Sequence, residues 1–254
     1  MRRLTIEEPY SAAALLSRRL AIFALAVALV GIVGVGRGLD LLAVLGGSLL
    51  IACAAILTAI LAFVVIWRSG SKGAGQAFAG LLLAALLLAY PAYLVQQTLR
   101  LPPLPDVSTD LTNPPDFSLS SEALAARGGA TPASVPVARR KIQLKVYPQI
   151  QPILLDLEAQ DAFNAAIQAM KATGWKIVDQ RPPGGRSGIA HIDAIASSFL
   201  LGFPTDVTLR LRPLAGQTRI DIRSASRFAP YDFGANSRNV ANFEAALTAV
   251  VDKK

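Results

Sequence analysis

The sequence has a single cysteine, Cys53, and a single histidine, His191. One cysteine excludes a disulfide within the chain, and its place in an apolar run leaves the C-terminal half without a thiolate for a metal site. One histidine among dispersed carboxylates shows no recognisable metal-ligand spacing. We therefore expect neither a metal nor another cofactor.

Charged residues are absent from three long apolar runs, Leu20–Gly36, Leu41–Trp67 and Ala74–Leu99. At about 1.5 Å per residue the first run gives roughly 26 Å of helix, and the other two exceed the ~30 Å hydrocarbon core of a bilayer. Buried helices of a soluble protein seldom stay uncharged over such lengths. The runs predict transmembrane helices at about residues 20–36, 41–67 and 76–99, within a membrane anchor formed by residues 1–100.

The predicted spans contain no ionisable group, which argues against a pump, a channel or a proton relay. Small residues recur at four-residue spacing instead, as in Ala55 with Ala59 and Gly80 with Ala84. Such residues let helices approach closely and pack as a bundle. Anchoring in the lipid bilayer accounts for this pattern.

Basic residues near the spans predict the orientation, because Lys and Arg in short flanking segments resist translocation. Most of these basic residues fall on one side of the membrane: Arg2, Arg3, Arg18, Arg19, Arg68 and Lys72. The other side has only Arg37 and Arg100. The N-terminus is then cytoplasmic and, after three crossings, the C-terminal domain is periplasmic. A secretory signal ending at Gly34-Val35-Gly36 is the alternative, and it leaves that domain on the same side.

The formal net charge of +8 belongs mostly to the membrane half. A nucleic-acid-binding protein concentrates basic charge in its soluble domain, so we expect no nucleic-acid partner.

Residues 101–136 are rich in Pro, Ser, Thr and Gly and predict a linker. The alternative for one part of it, around Thr112-Asn113-Pro114-Pro115, is that it docks on the domain. The charge run Arg139-Arg140-Lys141 reads as a solvated face, with anionic headgroups as the alternative partner.

Residues 137–254 suffice for one compact extracytoplasmic domain. Alternating or apolar runs predict strands, and apolar stripes at helical spacing predict two helices. The strands are Pro152–Leu157, Trp175–Gln180, Ser187–Ser197, Asp206–Pro213 and Thr218–Ser224, and the helices are Asp161–Thr173 and Ser237–Val251. The sum is an α-helical membrane anchor plus a two-layer α+β domain, with an antiparallel sheet of four to five strands and two helices on one face.

A hairpin around Leu214-Ala215-Gly216-Gln217 fixes the register of the last two strands. It places Leu211 opposite Ile220 and Leu209 opposite Ile222 on the core face. On the other face it pairs Arg210 with Asp221 and Arg212 with Arg219. Two opposed arginines need an anion, a carboxylate from elsewhere, or splaying into water, and we expect splaying.

The segments Ile220–Phe228 and Tyr231–Arg238, with Phe203-Pro204-Thr205-Asp206-Val207 upstream, resemble the signature of the domain-of-unknown-function 1499 family. The resemblance covers about Tyr147 to Val251. It implies a small α+β domain in a bacterial envelope or organellar context and no established reaction. The chain lacks the cysteine that common members carry before the domain, so a thiol role there is in doubt.

The signature joins the last strand to the last helix and concentrates polar residues there. A helix N-terminus offers free amides, with Gly234 suited to a positive φ and Asn236 or Ser237 to capping, so arginines beside it predict an anion site. Its candidate residues are Arg223, Ser224, Ser226, Arg227, Asp232, Asn236 and Arg238. The alternative is structural: Asp206 and Asp232 neutralise two of the arginines in a buried network.

We expect a binding or assembly module of the cell envelope that holds an anionic ligand. One alternative is an envelope hydrolase or transferase with His191 or Asp232 as general base and a serine such as Ser187 or Ser198 nearby. His191 and Asp193 share one strand face, although an exposed strand histidine is the simpler expectation. A further alternative is a purely structural partner of another membrane protein.

Overall fold

The computed structural model describes residues 9–34, 40–133, 136–197, 203–227 and 232–253. Several residues used above lie outside these ranges: Arg2, Arg3, Val35, Gly36, Arg37, Ser198, Phe228 and Tyr231. The chain divides into two compact units, Met1–Gln96 and Gln97–Lys254.

The first unit consists of α1 (Ala12–Val33), α2 (Leu41–Ser69) and α3 (Ala74–Arg100), the last of which runs on beyond it. All three helices are long and apolar enough to cross a membrane. The first begins at Ala12, upstream of the predicted span, and carries Arg18 and Arg19 within its length.

Alanine, glycine and serine fill the interior of the three-helix unit, while its large apolar side chains lie on the outside. Ala55, Ala59 and Ala84 are fully buried, whereas Leu57 and Leu86 are exposed. A Cβ at Gly80 would lie 2.8 Å from the backbone of Arg18, so only glycine permits this approach. Helices packed through small residues, with Leu and Ile outward, are what lipid surroundings favour.

The second unit is an α+β domain with an antiparallel sheet, as predicted. Its strands are β1 (Asp106–Ser108), β2 (Ile153–Leu155), β3 (Lys176–Arg181), β4 (Ala190–Ser197), β5 (Pro204–Leu214) and β6 (Gln217–Ser226). Its helices are α4 (Ser121–Ala126), α5 (Val137–Val146), α6 (Ala159–Ala172) and α7 (Ala235–Val251). The order is β1-β6-β5-β4-β3, and β2 pairs with another part of β6.

Helices α6 and α7 pack on one face of the sheet and enclose the hydrophobic core. The largest buried contributors are Met170, Ile192, Leu209, Leu211, Ile220, Ile222, Phe243 and Leu247. Trp175 stacks on Phe243 with ring centroids 5.9 Å apart. The sequence predicts both helices as amphipathic, because their buried residues recur at helical spacing.

The register of the β5–β6 hairpin is confirmed. Leu209 pairs with Ile222 and Leu211 with Ile220, and on the opposite face Arg210 pairs with Asp221 and Arg212 with Arg219. Gly216 takes a φ of +75° at the tip, which glycine adopts without steric cost.

The sequence predicts residues 101–136 as a linker, with docking around Thr112-Asn113-Pro114-Pro115 as the alternative, and that part does contact the domain: the carbonyls of Thr112, Asn113 and Pro115 accept hydrogen bonds from Arg140, Arg210 and Arg223. Asp106–Ser108 forms an edge strand on β6, and residues 109–133, here called the strap, contact the second face of the sheet. Thr109 exchanges hydrogen bonds with the backbone of Ile222, and Ser118 donates its N–H to Asp193. Outside β1 and α4 this segment has no regular structure, yet it packs on the sheet, because charges on the sheet find partners in the strap.

Candidate functional site

Arg223 is buried on the strap-covered face of the sheet and is satisfied by internal partners. Its Nε and Nη2 donate to the Asp106 carboxylate at 2.7–3.2 Å, and its guanidinium lies 4.9 Å from the ring centroid of Phe117. Carbonyl oxygens of Pro115 and Ala133 accept two further hydrogen bonds. Burial raises the pKa of Asp106, which the hydrogen bonds and charge of Arg223 oppose without cancelling. This arginine is a structural element of the fold.

Arg227 is held by Asp206 in a two-pronged ion pair. Nε and Nη2 donate to the carboxylate at 2.7–3.2 Å, and Nη2 also donates to the carbonyl of Ala126 at 3.1 Å. The structural alternative therefore holds for Asp206. In the described ranges no acceptor contacts Nη1 of Arg227, and 22% of the side chain is exposed.

The start of α7 brings together four predicted residues, but as a hydrogen-bonded support. Asp232 accepts the N–H groups of Gly234 and Asn236, so it caps the helix in place of the predicted Asn236 or Ser237. Asn236 is fully buried, accepts from the Ser224 hydroxyl at 2.8 Å and donates to Ser226 at 3.1 Å. Burial raises the pKa of Asp232 despite the opposing backbone hydrogen bonds.

Arg238 lies apart from the other predicted arginines. It is exposed, and its Nη1 donates to the carbonyl of Phe233 at 3.0 Å. Asp232 forms no salt bridge with it, although the charge of Arg238 is among the influences that oppose the raised pKa of Asp232. Each predicted arginine contacts a different group, and the three do not converge on one site.

The opposed arginines of the hairpin do not splay into water. Arg210, Arg212 and Arg219 share two carboxylates, Asp110 of the strap and Asp221 of β6, at 2.7–3.3 Å. Burial raises the pKa of Asp110, but the backbone N–H groups and arginines around it outweigh burial and hold that pKa below its usual range. Of the alternatives for the two opposed arginines, a carboxylate from elsewhere in the chain is therefore correct, and it is Asp110 of the strap.

His191 contacts a buried carboxylate. Its Nε2 lies 2.8 Å from Oδ1 of Asp193, and its side chain is 14% exposed, so the expected exposed histidine is wrong. Asp193 also accepts from Arg127 and from the backbone N–H of Ser118, both at 2.8 Å. An open groove of about 810 Å³ runs past His191, Arg181 and Arg210. The described residues contain no group of three or more His, Cys, Asp or Glu side chains placed to hold a metal ion.

A cavity of about 560 Å³ lies beside Arg227 and the strap. Apolar residues form much of its wall, and three arginines and two aspartates also line it. The apolar lining comes from Pro105, Ala130, Pro132, Ala133, Pro136 and Ala225, and the charged lining from Asp106, Arg127, Arg139, Asp206 and Arg227. This size falls within the roughly 300–1,000 Å³ of small-molecule sites, which combine apolar walls with a few polar groups.

Arg139 carries the uncompensated charge of this cavity. Arg127 is paired with Asp193, Arg227 with Asp206, and Asp106 with Arg223. Over the described ranges Arg139 has neither an ion pair nor a hydrogen bond to its side chain. Of the lining residues, sequence reasoning identified Ser226, Arg227 and, as a structural partner, Asp206, and it missed Arg127 and Arg139.

Over the described residues, fold and composition define a membrane protein with three long apolar helices and an α+β domain of six antiparallel strands. The chain belongs to the family described as Protein of unknown function (DUF1499), whose model matches residues 106–247, more than half of the sequence. The match begins at β1 and includes the strap, upstream of where the sequence resemblance began. No curated protein matches the sequence.

Proposed function

We propose that this chain is a membrane-anchored binding module of the cell envelope, whose periplasmic domain takes a small anionic ligand in the cavity beside Arg139 and Arg227. The observation that carries the proposal is the cavity itself, with Arg139 unpaired in the part of the chain that the structure describes. The candidate site therefore keeps one arginine of the signature, Arg227, and includes two arginines outside the signature, Arg127 and Arg139.

The charges of the cavity favour a ligand with one anionic group. Three lining arginines and two lining carboxylates leave a formal excess of one positive charge. Arg139, Nη1 of Arg227 and the buried Nε of Arg127 are donors left for an oxyanion, because the other Arg227 donors are held by Asp206 and Ala126. Apolar walls suit an alkyl body attached to that group.

Binding of hexyl phosphate to the full chain in a neutral detergent, measured by titration calorimetry, tests this proposal. Arg139→Gln should weaken binding at least about tenfold, because a charge-assisted hydrogen bond contributes about 1.5–3 kcal/mol. The matched control is Arg186→Gln, an exposed arginine outside the cavity lining, which should bind as wild type does. Absence of binding, or equal binding by the Arg139 and Arg186 variants, contradicts the proposal.

A second candidate, a hydrolase, is favoured by the contact between His191 and Asp193. Nε2 of the imidazole lies 2.8 Å from Oδ1 of Asp193, and Nδ1 has no hydrogen-bond partner among the described residues. In this candidate Nδ1 takes a proton from a water whose oxygen bonds to phosphorus as the P–O bond to the alcohol breaks. The departing alkoxide takes a proton from solvent and the imidazole later gives its proton to solvent, which leaves inorganic phosphate and free alcohol. Arg181 and Arg210 in the same groove suit the phosphate. Asp232 is not suited as the base, because backbone N–H groups occupy both of its oxygens.

Release of inorganic phosphate from hexyl phosphate separates the two candidates. If the chain is a hydrolase, the His191→Gln variant loses turnover and the Arg139→Gln variant keeps it. If it is a binding module, neither the wild-type chain nor either variant releases phosphate. A structural partner in the membrane, the remaining alternative, is tested by stoichiometric co-purification in mild detergent.

A further inference from the structure

Helix α5, Val137–Val146, is the most basic element of the domain. It carries Arg139, Arg140, Lys141 and Lys145 and no acidic residue. Its inner face is fixed by Gln143, which is buried and whose amide exchanges hydrogen bonds with the backbone of Ser108 at 2.7 and 3.1 Å. The helix therefore covers the β1 edge of the sheet and has a defined outer face.

The outer face of α5 combines cations with large aliphatic side chains. Lys141 and Lys145 are four residues apart, about one helical turn, and Ile142 and Leu144 flank them. Ile142 is 39% exposed and Leu144 58% exposed. Over the ranges that the structure describes, neither lysine is in a salt bridge, so their charges are not neutralised by the domain.

We propose that this outer face, formed by Lys141, Ile142, Leu144 and Lys145, docks on the surface of an anionic phospholipid bilayer. Aliphatic side chains enter the interfacial region while the lysine ammonium groups contact lipid phosphates. Charge complementarity favours an anionic lipid surface, because every charged residue of the face is cationic and the same chain carries three helices able to cross a membrane. The proposal is independent of the cavity, since none of these four residues lines it.

The test uses the full chain with Cys53→Ala in nanodiscs, with a nitroxide attached at Leu144→Cys. Electron paramagnetic resonance then measures the accessibility of the label to oxygen, in phosphatidylcholine alone and in phosphatidylcholine mixed with phosphatidylglycerol. We expect lipid-like accessibility only in the anionic discs. The control label is Leu154→Cys on β2, equally exposed at 58%, which should stay aqueous in both.

Charge variants test the role of the lysines. Lys141→Gln with Lys145→Gln should lower the ratio of docked to undocked label about 25-fold, or about fivefold per lysine, whereas Lys→Arg at both positions should retain docking. Ile142→Cys gives a second labelled position should Leu144→Cys disturb the helix. An aqueous label at both positions in anionic discs overturns the proposal and leaves an acidic protein as the occupant of this face. Docking that is equal in neutral discs or in the Gln variants also overturns it, because the lysines then contribute nothing to docking.

Discussion

Removal of the Arg223 guanidinium should destabilise the domain, because it breaks a buried ion pair. Arg223→Met keeps the length of the side chain and its apolar stem. It leaves the Asp106 carboxylate, only 9% exposed, without its cation and removes the donors to the carbonyls of Pro115 and Ala133. Asp106→Asn removes the same pair from the other side.

The expected loss in the free energy of unfolding is about 3–5 kcal/mol for either substitution, the cost typical of leaving one member of a buried ion pair alone. The double variant should lose less than the sum of the two single losses, with a coupling of up to ~3 kcal/mol, because neither buried charge then remains unpaired. Arg238→Met is the matched control, since Arg238 is exposed and donates to one carbonyl. Its effect should stay within about 0.5 kcal/mol.

Urea unfolding followed by tryptophan fluorescence measures these differences in the domain alone if Trp67 is first replaced by phenylalanine. The chain has two tryptophans, and the other, Trp175, stacks on Phe243 in the core of the domain. Losses below about 1 kcal/mol that add in the double variant would refute the reasoning, because a buried and coupled pair cannot behave so.

Three further predictions concern the helix start, the strap and the topology. Gly234→Ala should lower the free energy of unfolding by about 1–3 kcal/mol in the same assay, because Gly234 has a φ of +75° and a Cβ would lie 2.9 Å from Leu101. Asp110→Asn should destabilise the domain near pH 6 and much less near about pH 3: the lowered pKa of Asp110 contributes stability above its unfolded value of about 3.9, which is lost as the pH falls through the folded-state pKa. A difference from wild type that stays constant over this range would contradict that assignment. Alkaline phosphatase fused after Lys254 should be active in the periplasm, and activity confined to the cytoplasm would disprove the predicted orientation.

Local sequence patterns predicted the elements whose partners are near in the chain or are lipid. The apolar runs gave three long helices because burial in hydrocarbon requires little more than length and absence of charge. The pairing of Leu209 with Ile222 followed from the hairpin tip, since a fixed turn sets every later pair. The helical stripes of α6 and α7 likewise reflect one shared core.

The strap could not be predicted, because its stabilising partners are distant in sequence. Asp106 and Arg223 are 117 positions apart, and Asp110 is 109 positions from Arg219. Proline and serine in residues 101–136 signal irregular backbone, which a docked strap and a free linker share. The available signal was weak: aspartates in a Pro-rich segment, beside a sheet face with more arginines than carboxylates.

The same reason explains the outcome at the predicted anion site. The signature places Arg223, Arg227 and Arg238 within 16 residues, yet their side chains meet different partners. Arg139 was assigned to a solvated charge run, since no local pattern shows that the strap closes a cavity against it. Charge spacing along the chain therefore identified the region, and the strap determined which arginine stays unpaired.

A crystal structure of the full chain with hexyl phosphate shows whether this ligand occupies the cavity. We expect phosphate oxygens within hydrogen-bond distance, about 2.7–3.0 Å, of the Arg139 guanidinium, with Nη1 of Arg227 as a second donor and the hexyl chain along Pro132 and Pro136. Hexyl phosphate bound only elsewhere, or an Arg139 paired with a carboxylate of its own chain, would contradict the proposal.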